Sequence, residues 1–192
     1  MKEALLVIDV QNVYTDESSE LFVKNNSAVI KNINKLIELF RTQKAPIVFV
    51  KHQHKKDLSD LGRMFDFAGE ASEAGFIEGE KLTDYDIRIK VEKGDCEIIK
   101  TRYCAFGKTN LDKVLKNKGI QKVVICGFMT NFCCETAART AHGLDYYVDF
   151  IIDATGTPGT ESLGPIATVK ATAVTFSNGF AVIKKTADKI VE

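Results

Sequence analysis

The sequence predicts an α/β protein with three layers, in which helices cover both faces of a six-stranded, mostly parallel sheet. Six apolar runs alternate with stretches in which apolar residues recur at helical spacing. Most of the apolar runs are continuous, which is typical of strands that are buried on both faces. This alternation favours parallel pairing of the strands. The 192 residues contain no internal repeat or low-complexity tract, so we expect one domain over residues 1–192.

The six apolar runs are interpreted as strands at residues 4–9, 46–50, 97–100, 122–127, 147–152 and 180–183. Helical patterns predict four helices, at residues 29–40, 111–115, 135–141 and 164–178. Asn26 or Ser27 is expected to cap the first helix, and Gly119 and Gly143 are expected to end the second and the third. In an open parallel sheet, ligands bind at the carboxyl ends of the strands.

Composition excludes several classes of partner. The 26 Lys and Arg residues balance the 26 Asp and Glu residues, so no overall charge would attract nucleic acid or an anionic membrane. The first apolar run is too short for a signal peptide, and no segment approaches the length of a membrane span, which predicts a cytoplasmic protein. The five cysteines are odd in number and form no Cys-x-x-Cys pair, so a disulfide framework or structural zinc site is not expected.

Cys133 lies where the predicted strand 122–127 passes into the predicted helix 135–141. The positive end of the helix dipole and unpaired backbone N–H groups at such a junction favour the thiolate, which is the nucleophilic form of cysteine. The alternative is that Cys133 and Cys134 are small residues that pack well in the interior. The motif alone leaves the two interpretations balanced.

Two charged residues raise the odds of catalysis. Asp9 ends the first predicted strand and Lys100 ends the third. If these strands are parallel neighbours, both side chains meet Cys133 at the carboxyl edge of the sheet. Each residue also has a simpler interpretation, because an Asp at a strand end often caps a helix and a Lys there is usually solvated.

Three segments carry a family resemblance: Leu-Val-Ile-Asp-Val-Gln-Asn at 6–12, Lys-Thr-Arg-Tyr-Cys-Ala-Phe at 100–106 and Gly-Phe-Met-Thr-Asn-Phe-Cys-Cys-Glu-Thr at 127–136. Together and in this order they resemble the isochorismatase-like cysteine hydrolases, which include nicotinamidases, N-carbamoylsarcosine amidase and isochorismatase. The resemblance covers nearly the whole chain. It implies that Asp9, Lys100 and Cys133 are catalytic, and the pattern Gly-x-x-Thr-Asn-x-Cys selects Cys133 over Cys134.

The resemblance also implies a mechanism. Cys133 attacks a carbonyl carbon and forms a thioester, Asp9 acts as general base and then acid, and Lys100 lowers the pKa of the thiol. The backbone N–H groups of Met129 and Cys133 bind the oxyanion, and the Phe128–Met129 peptide is cis in the family. No cofactor is implied. Members of the family commonly form homodimers or larger homo-oligomers, so we expect the same here, with a small-molecule amide as the substrate.

The sequence defines the substrate-binding residues less clearly than the catalytic ones. Tyr14, Tyr103 and Phe132 are candidate substrate-binding residues for a small planar ligand, and core packing is the alternative for each. Met129 is a further candidate, while core packing is favoured for Phe106. The irregular segment 51–94 covers the active site in the resembling family and is expected to carry specificity, unless it is a plain surface excursion.

The histidines after the second predicted strand depart from the nicotinamidase pattern. Nicotinamidases carry a metal site built from Asp-x-His and a further His, whereas this chain has His52 and His54 with no Asp two residues before either. We therefore expect no metal site and interpret the two residues as solvated loop histidines. The same difference makes nicotinamidase activity itself less favoured.

Four functions compete at this point. The leading one is hydrolysis of a linear C–N bond in an amide or ureide, and the cysteine favours it over the vinyl ether hydrolysis of isochorismatase. A non-catalytic thiol redox or assembly protein is a third possibility. A nucleotide-binding or flavodoxin-like module is disfavoured, because no Gly-rich phosphate loop follows the first strand.

Overall fold

The fold was analysed in a computed structural model that describes residues 1–70 and 72–192. A single six-stranded sheet is built from β1 (Glu3–Ile8), β2 (Ile47–His52), β3 (Cys96–Lys100), β4 (Lys122–Phe128), β5 (Tyr147–Gly156) and β6 (Val182–Lys184). The strands lie in the order β3-β2-β1-β4-β5-β6, and every neighbouring pair is parallel. The predicted α/β fold class is therefore confirmed.

Helices cover both faces of this sheet. They are α1 (Asn26–Thr42), α2 (Leu111–Asn117), α3 (Glu135–Gly143), α4 (Pro165–Ser177) and α5 (Thr186–Ile190). The apolar stripe of α1 packs with Leu5, Val7 and Phe49 on one face. Residues of α2, α3 and α4 pack with Leu6 and Ile8 on the other face. Successive residues of β1 thus enter opposite cores, which explains why its apolar run is unbroken.

Several predicted boundaries differ from the structure. β5 runs to Gly156 rather than to residue 152, because a register shift lets Thr155 and Gly156 pair with β4 although neither residue is apolar. β6 covers Val182–Lys184 rather than 180–183. Asn25 is the N-cap of α1 in place of Asn26 or Ser27. The five-residue helix α5 was not predicted, since one turn is too short to show a hydrophobic period.

The junction of β1 and β4 positions the carboxyl edge of the sheet. Gly127 has a φ of +122°, and a Cβ on it would lie 1.9 Å from the carbonyl oxygen of Ile8. Only glycine lets the two strands approach this closely. Asp9 follows β1 with a φ of +49°, which non-glycine residues seldom adopt and which is common at functional sites. In the part of the chain that the structure describes, none of the helices has the length and apolarity needed to cross a membrane.

Candidate active site

Asp9, Lys100 and Cys133 meet at the carboxyl edge of the sheet, where β1, β3 and β4 end. Lys100 Nζ lies 2.8 Å from Asp9 Oδ2 and 3.3 Å from Cys133 Sγ. Each of the three residues is at most 1% exposed. Lys100 Nζ also donates to the backbone carbonyl of Arg102 at 3.1 Å, which helps to fix the ammonium between the carboxylate and the thiol. The cluster brings a base, a cation and a thiol into mutual contact.

Burial dominates the proton affinities of this cluster. It raises the pKa of Asp9 against the opposing attraction of Lys100. It also raises the pKa of Cys133 to about 12, although the charge of Lys100 favours the thiolate. Burial by itself lowers the pKa of Lys100, but the attraction of Asp9 and Cys133 raises it overall.

The direction of the Cys133 shift is a correction to the sequence analysis, which expected a lowered pKa. Desolvation of the sulfur outweighs the nearby positive charge. In addition, Cys133 is not the first residue of a helix, because it lies within a π-turn, Thr130–Cys134, that continues directly into α3. The free site therefore favours a neutral thiol beside the contact of Asp9 with Lys100, and the thiol proton must move during the reaction.

The backbone before Cys133 turns sharply. The Phe128–Met129 peptide is cis. The Met129 carbonyl then accepts hydrogen bonds from the N–H groups of Phe132 and Cys134, both at 3.2 Å. This arrangement holds the segment between β4 and α3 against the end of β5, where Thr130 Oγ1 lies 3.0 Å from Thr155 Oγ1. Met129 and Cys133 thus both belong to one tightly held turn, and their role as oxyanion donors stays a prediction.

The candidate substrate-binding aromatic residues lie in two places. Tyr14 is buried, and its ring stacks on Phe128 with 5.4 Å between centroids. Tyr103 and Phe132 are 40% and 37% exposed, and their ring centroids are 5.2 Å apart. Burial raises the pKa of Tyr103, and a negative charge on Cys133 would raise it further, which reflects their proximity. The structure thus places Tyr14 in the interior and the other two as an exposed aromatic pair.

Two further candidates differ from each other in placement. Phe106 packs against the core that contains α2, α3 and α4, with its ring centroid 6.2 Å from that of Tyr146, which agrees with the interpretation favoured from the sequence. Met129 is 8% exposed and packs against the core that contains α1. Neither residue presents much free surface to a ligand.

His52 and His54 are not solvated loop residues, and that expectation was wrong. Both are completely buried. β2 continues as far as His52, which pairs with Lys100 of β3, so the histidine lies beside the reacting groups. The segment after β2 then folds back, and Phe76 stacks on the His52 ring at 4.3 Å and 15°. Sequence inspection missed this site because the contacts that bury the two rings come from a segment with no regular period.

A chain of polar contacts runs outward from His52. Its Nε2 lies 3.2 Å from His54 Nε2, and His54 Nδ1 lies 3.1 Å from Asp60 Oδ1. Arg102 donates to the backbone carbonyl of Asp60 at 2.9 Å and fixes that loop. Burial and then the charge of Lys100 lower the pKa of His52 well below its usual range, so its imidazole is neutral.

Gln11 holds the backbone of His52. The His52 N–H donates to Gln11 Oε1 and Gln11 Nε2 donates to the His52 carbonyl, both at 2.9 Å. Gln11 Nε2 also donates to the Thr83 carbonyl at 2.6 Å. The side chain is completely buried two residues after Asp9. It therefore ties β2 and the 3₁₀ turn Lys81–Thr83 to the end of β1.

The Lys100 ammonium would compete with a divalent metal ion for the acidic groups of the site, and the absence of a metal site stays a prediction. A carboxylate oxygen of Asp9, a ring nitrogen of His52 and Cys133 Sγ lie within 4.8 Å of one another. Two of these three groups already contact the Lys100 ammonium, which carries the positive charge that a metal would supply. Within the described residues, His52 and His54 share no third ligand of the His, Cys, Asp or Glu type at that distance. The local chemistry is that of a site neutralised by lysine.

Comparisons of this chain with a family model, with named relatives and with a solved structure agree with one another. The family model for the isochorismatase domain matches residues 3–177. The chain is 33% identical over 155 residues to nicotinamidase 3 of Arabidopsis thaliana, covering 80% of this chain and 73% of the relative. It is 29% identical over 170 residues to the ureidoacrylate amidohydrolase RutB of Agrobacterium fabrum, covering 79% and 75%. A solved cysteine hydrolase from Pseudomonas syringae pv. phaseolicola 1448A shares the fold, with a TM-score of 0.89, 24% identity and coverage of 99% and 91%.

Proposed function

This chain belongs to the isochorismatase family, and we propose that it is a cysteine hydrolase that cleaves a linear C–N bond of a small amide or ureide through a Cys133 thioester. The observation that carries the proposal is the buried contact of Lys100 with both Asp9 and Cys133, at 2.8 Å and 3.3 Å. A base, a cation and a nucleophile in this contact are the groups that acyl transfer needs.

Formation of the thioester begins with the neutral thiol. The Cys133 proton passes to the Asp9 carboxylate while the sulfur attacks the carbonyl carbon of the substrate. The raised pKa of Asp9 makes it a better proton acceptor than an ordinary carboxylate, and Lys100 stabilises the negative charge that develops on sulfur. The N–H groups of Met129 and Cys133 bind the oxyanion. The C–N bond then breaks, and Asp9 returns its proton to the leaving nitrogen.

Hydrolysis of the thioester reverses these proton movements. A water molecule gives one proton to Asp9 while its oxygen forms a bond to the carbonyl carbon. The C–S bond breaks with its electron pair moving to sulfur, and the product leaves as a carboxylic acid. Asp9 passes its proton to the Cys133 sulfur, which restores the ion pair beside a neutral thiol. Both half-reactions use the same three side chains.

The proposed substrate is a small planar molecule. Tyr14 would contact it in the interior, and Tyr103 with Phe132 would cover it from the exposed side. Phe76, which stacks on His52, would supply a further wall, and this supports a role of its loop in specificity. The relative named as a ureidoacrylate amidohydrolase supports a ureide as readily as an amide. A cytoplasmic location and a homo-oligomeric state belong to the same proposal.

The test is ammonia release from a panel of small amides and ureides, measured for the unmodified protein, Cys133→Ala and Cys134→Ala. Cys134 is the matched control because it is the neighbouring thiol and is equally buried. We expect turnover to fall to background in Cys133→Ala and to persist in Cys134→Ala. Retained turnover in Cys133→Ala would overturn the thioester mechanism.

Two outcomes would favour other functions. Cleavage of isochorismate without ammonia release, retained in Cys133→Ser, would assign the chain to vinyl ether hydrolysis. Oxidation of Cys133 or Cys134 without turnover of either substrate class would favour a thiol redox or assembly role. The same protein preparations serve for all three measurements.

A further inference from the structure

The proposed mechanism leaves one buried polar atom beside the reacting groups unused. His52 Nδ1 is completely buried and has no hydrogen-bond partner among the described residues. A ring nitrogen of His52 lies within 4.8 Å of both an Asp9 oxygen and Cys133 Sγ. Because Nε2 is already engaged with His54, Nδ1 is the nitrogen that remains for a ligand. A buried polar atom without a partner is costly and points to a ligand that supplies one.

The contacts of the histidine chain determine the tautomer of His52. Asp60 is a carboxylate, so His54 Nδ1 must carry a proton and donate it across the 3.1 Å contact. A neutral His54 then has a lone pair on Nε2, and the 3.2 Å contact with His52 requires His52 Nε2 to be the donor. A neutral His52 that is protonated on Nε2 has its lone pair on Nδ1. His52 Nδ1 is therefore a buried hydrogen-bond acceptor that has no donor among the described residues.

We propose that His52 Nδ1 accepts a hydrogen bond first from the leaving nitrogen of the substrate and then from the hydrolytic water, with His54 and Asp60 holding it in the acceptor tautomer. This inference rests on the proposed amide hydrolysis and extends it to a substrate class. An unsubstituted amide nitrogen carries two hydrogens, and so does water. In the first half-reaction the nitrogen lone pair accepts the Asp9 proton, so both N–H hydrogens still need acceptors in a buried site, and His52 accepts from one of them. In the second half-reaction Asp9 takes one hydrogen of the water and His52 accepts from the other.

The proposal selects primary amides and terminal ureides over N-alkylated ones. A primary NH₂ group presents a hydrogen to His52 while its lone pair accepts the Asp9 proton, whereas an N-methyl group on the His52 side would place carbon against Nδ1. Burial first, and then the positive charges of Lys100 and Arg102, oppose protonation of His52, which keeps its lone pair available at neutral pH. The stacked Phe76 ring holds the imidazole plane in place.

The first test reads the tautomer without any substrate. The chain has three histidines, and the exposed His142 on α3 serves as the internal reference for ¹⁵N NMR of the histidine-labelled protein. We expect His52 to show a lone pair on Nδ1 and a proton on Nε2, and Asp60→Leu to weaken this preference while Asp60→Asn preserves it. A proton on His52 Nδ1 would overturn the assignment. One equivalent of a bound divalent metal in the purified protein, held by the two Nε2 atoms, would also overturn it.

The second test uses a primary amide from the panel and its N-methyl derivative. We expect His52→Leu to lower kcat for the primary amide by about 10–100-fold and to change the N-methyl rate much less. Asn carries a polar atom near the Nδ1 position and Gln carries one near Nε2, so His52→Asn should recover part of the activity and His52→Gln should not. A purely structural role predicts equal losses for both substrates and for both variants.

The two proposals fail in different ways. If the unmodified protein releases no ammonia from any amide, the proposed function fails and the NMR measurement decides the tautomer by itself. If amides are hydrolysed and His52→Leu leaves the ratio of primary to N-methyl rates unchanged, the proposed function stands and the inference about His52 is refuted. Thermal unfolding of each variant identifies any that fail to fold, and His52→Gln, which has no polar atom at the Nδ1 position, then replaces His52→Leu in the comparison.

Discussion

Replacing Lys100 by Met would leave Asp9 as an unpaired carboxylate in the protein interior. Both side chains are 0% exposed, and their charged atoms lie 2.8 Å apart. The other hydrogen-bond partners of Asp9, the Cys133 thiol and the His52 backbone, carry no positive charge. Water cannot replace the lost ammonium without opening the site, so the variant must bear the cost of an isolated buried charge or protonate Asp9.

The size of this effect follows from complete burial. Removing one partner of a buried ion pair costs about 3–5 kcal/mol of unfolding free energy. No reduction for solvent screening applies, because neither group is exposed. For a chain of this length each kcal/mol corresponds to roughly 2–4 °C, so we expect Lys100→Met to lower the Tm by about 6–20 °C.

A double-mutant cycle isolates the interaction of the pair. Urea unfolding is measured for the unmodified protein, Asp9→Asn, Lys100→Met and the double variant. The double variant buries no charge at this site, so we expect it to be more stable than Lys100→Met, with a coupling of about 2–3 kcal/mol between the two positions. Strictly additive losses would refute the claim that Lys100 is needed chiefly to neutralise Asp9.

The loss in Lys100→Met should also depend on pH. Burial already raises the folded-state pKa of Asp9 above 3.8, and loss of the Lys100 attraction raises it further. A raised pKa contributes stability that is present below the unfolded-state value and is lost as pH rises through the folded-state value. The deficit relative to the unmodified protein is therefore smallest near pH 4–5 and grows toward pH 8. A deficit that shrinks with rising pH would contradict the raised pKa.

Three further outcomes are expected. Gly127→Ala should lower the unfolding free energy by roughly 3–5 kcal/mol, because its Cβ would meet the Ile8 carbonyl at 1.9 Å. Gly143→Ala serves as the control, because the space around Gly143 is open. Equal stability of the two variants would contradict this expectation. The rate at which iodoacetamide alkylates Cys133 in the free protein should keep increasing with pH up to at least pH 9, because burial raises the thiol pKa to about 12. A rate that levels off near pH 7 would show a stable thiolate instead. Tyr103→Ala should raise KM while leaving Tm within about 2 °C, since the side chain is 40% exposed; a large loss of Tm would reassign it to core packing.

The part of the site that could be predicted from the sequence consists of side chains that lie at or just beyond the ends of strands. Asp9 and Lys100 each end an apolar run, and Cys133 lies shortly beyond a third. In a parallel sheet the carboxyl ends of all strands lie at one edge, so any side chains at those ends are brought near one another whatever the loops do. The order of strands places β1 between β2 and β4, with β3 beyond β2, and the length of the Lys100 side chain bridges the remaining gap.

The boundaries that were missed share a different cause. β5 extends through Thr155 and Gly156 because β4 offers them backbone partners, and neither side chain is apolar enough to signal a strand. Helix α5 is one turn long and is held by the contact of Thr186 with Asp153, a pairing distant in sequence. Periodicity detects elements that bury a face, and these elements depend on individual hydrogen bonds instead.

The sequence by itself determined the fold class and the convergence of Asp9, Lys100 and Cys133, because both depend on local hydrophobic pattern and on chain direction at the strand ends. Only the tertiary structure decided the state of those groups. The thiol pKa, the burial of His52 and its link through His54 to Asp60 are set by solvent exclusion, and the residues that exclude solvent come from a distant, irregular segment. Electrostatic behaviour depends on every neighbour within several ångströms, and that neighbourhood exists only after the chain has folded.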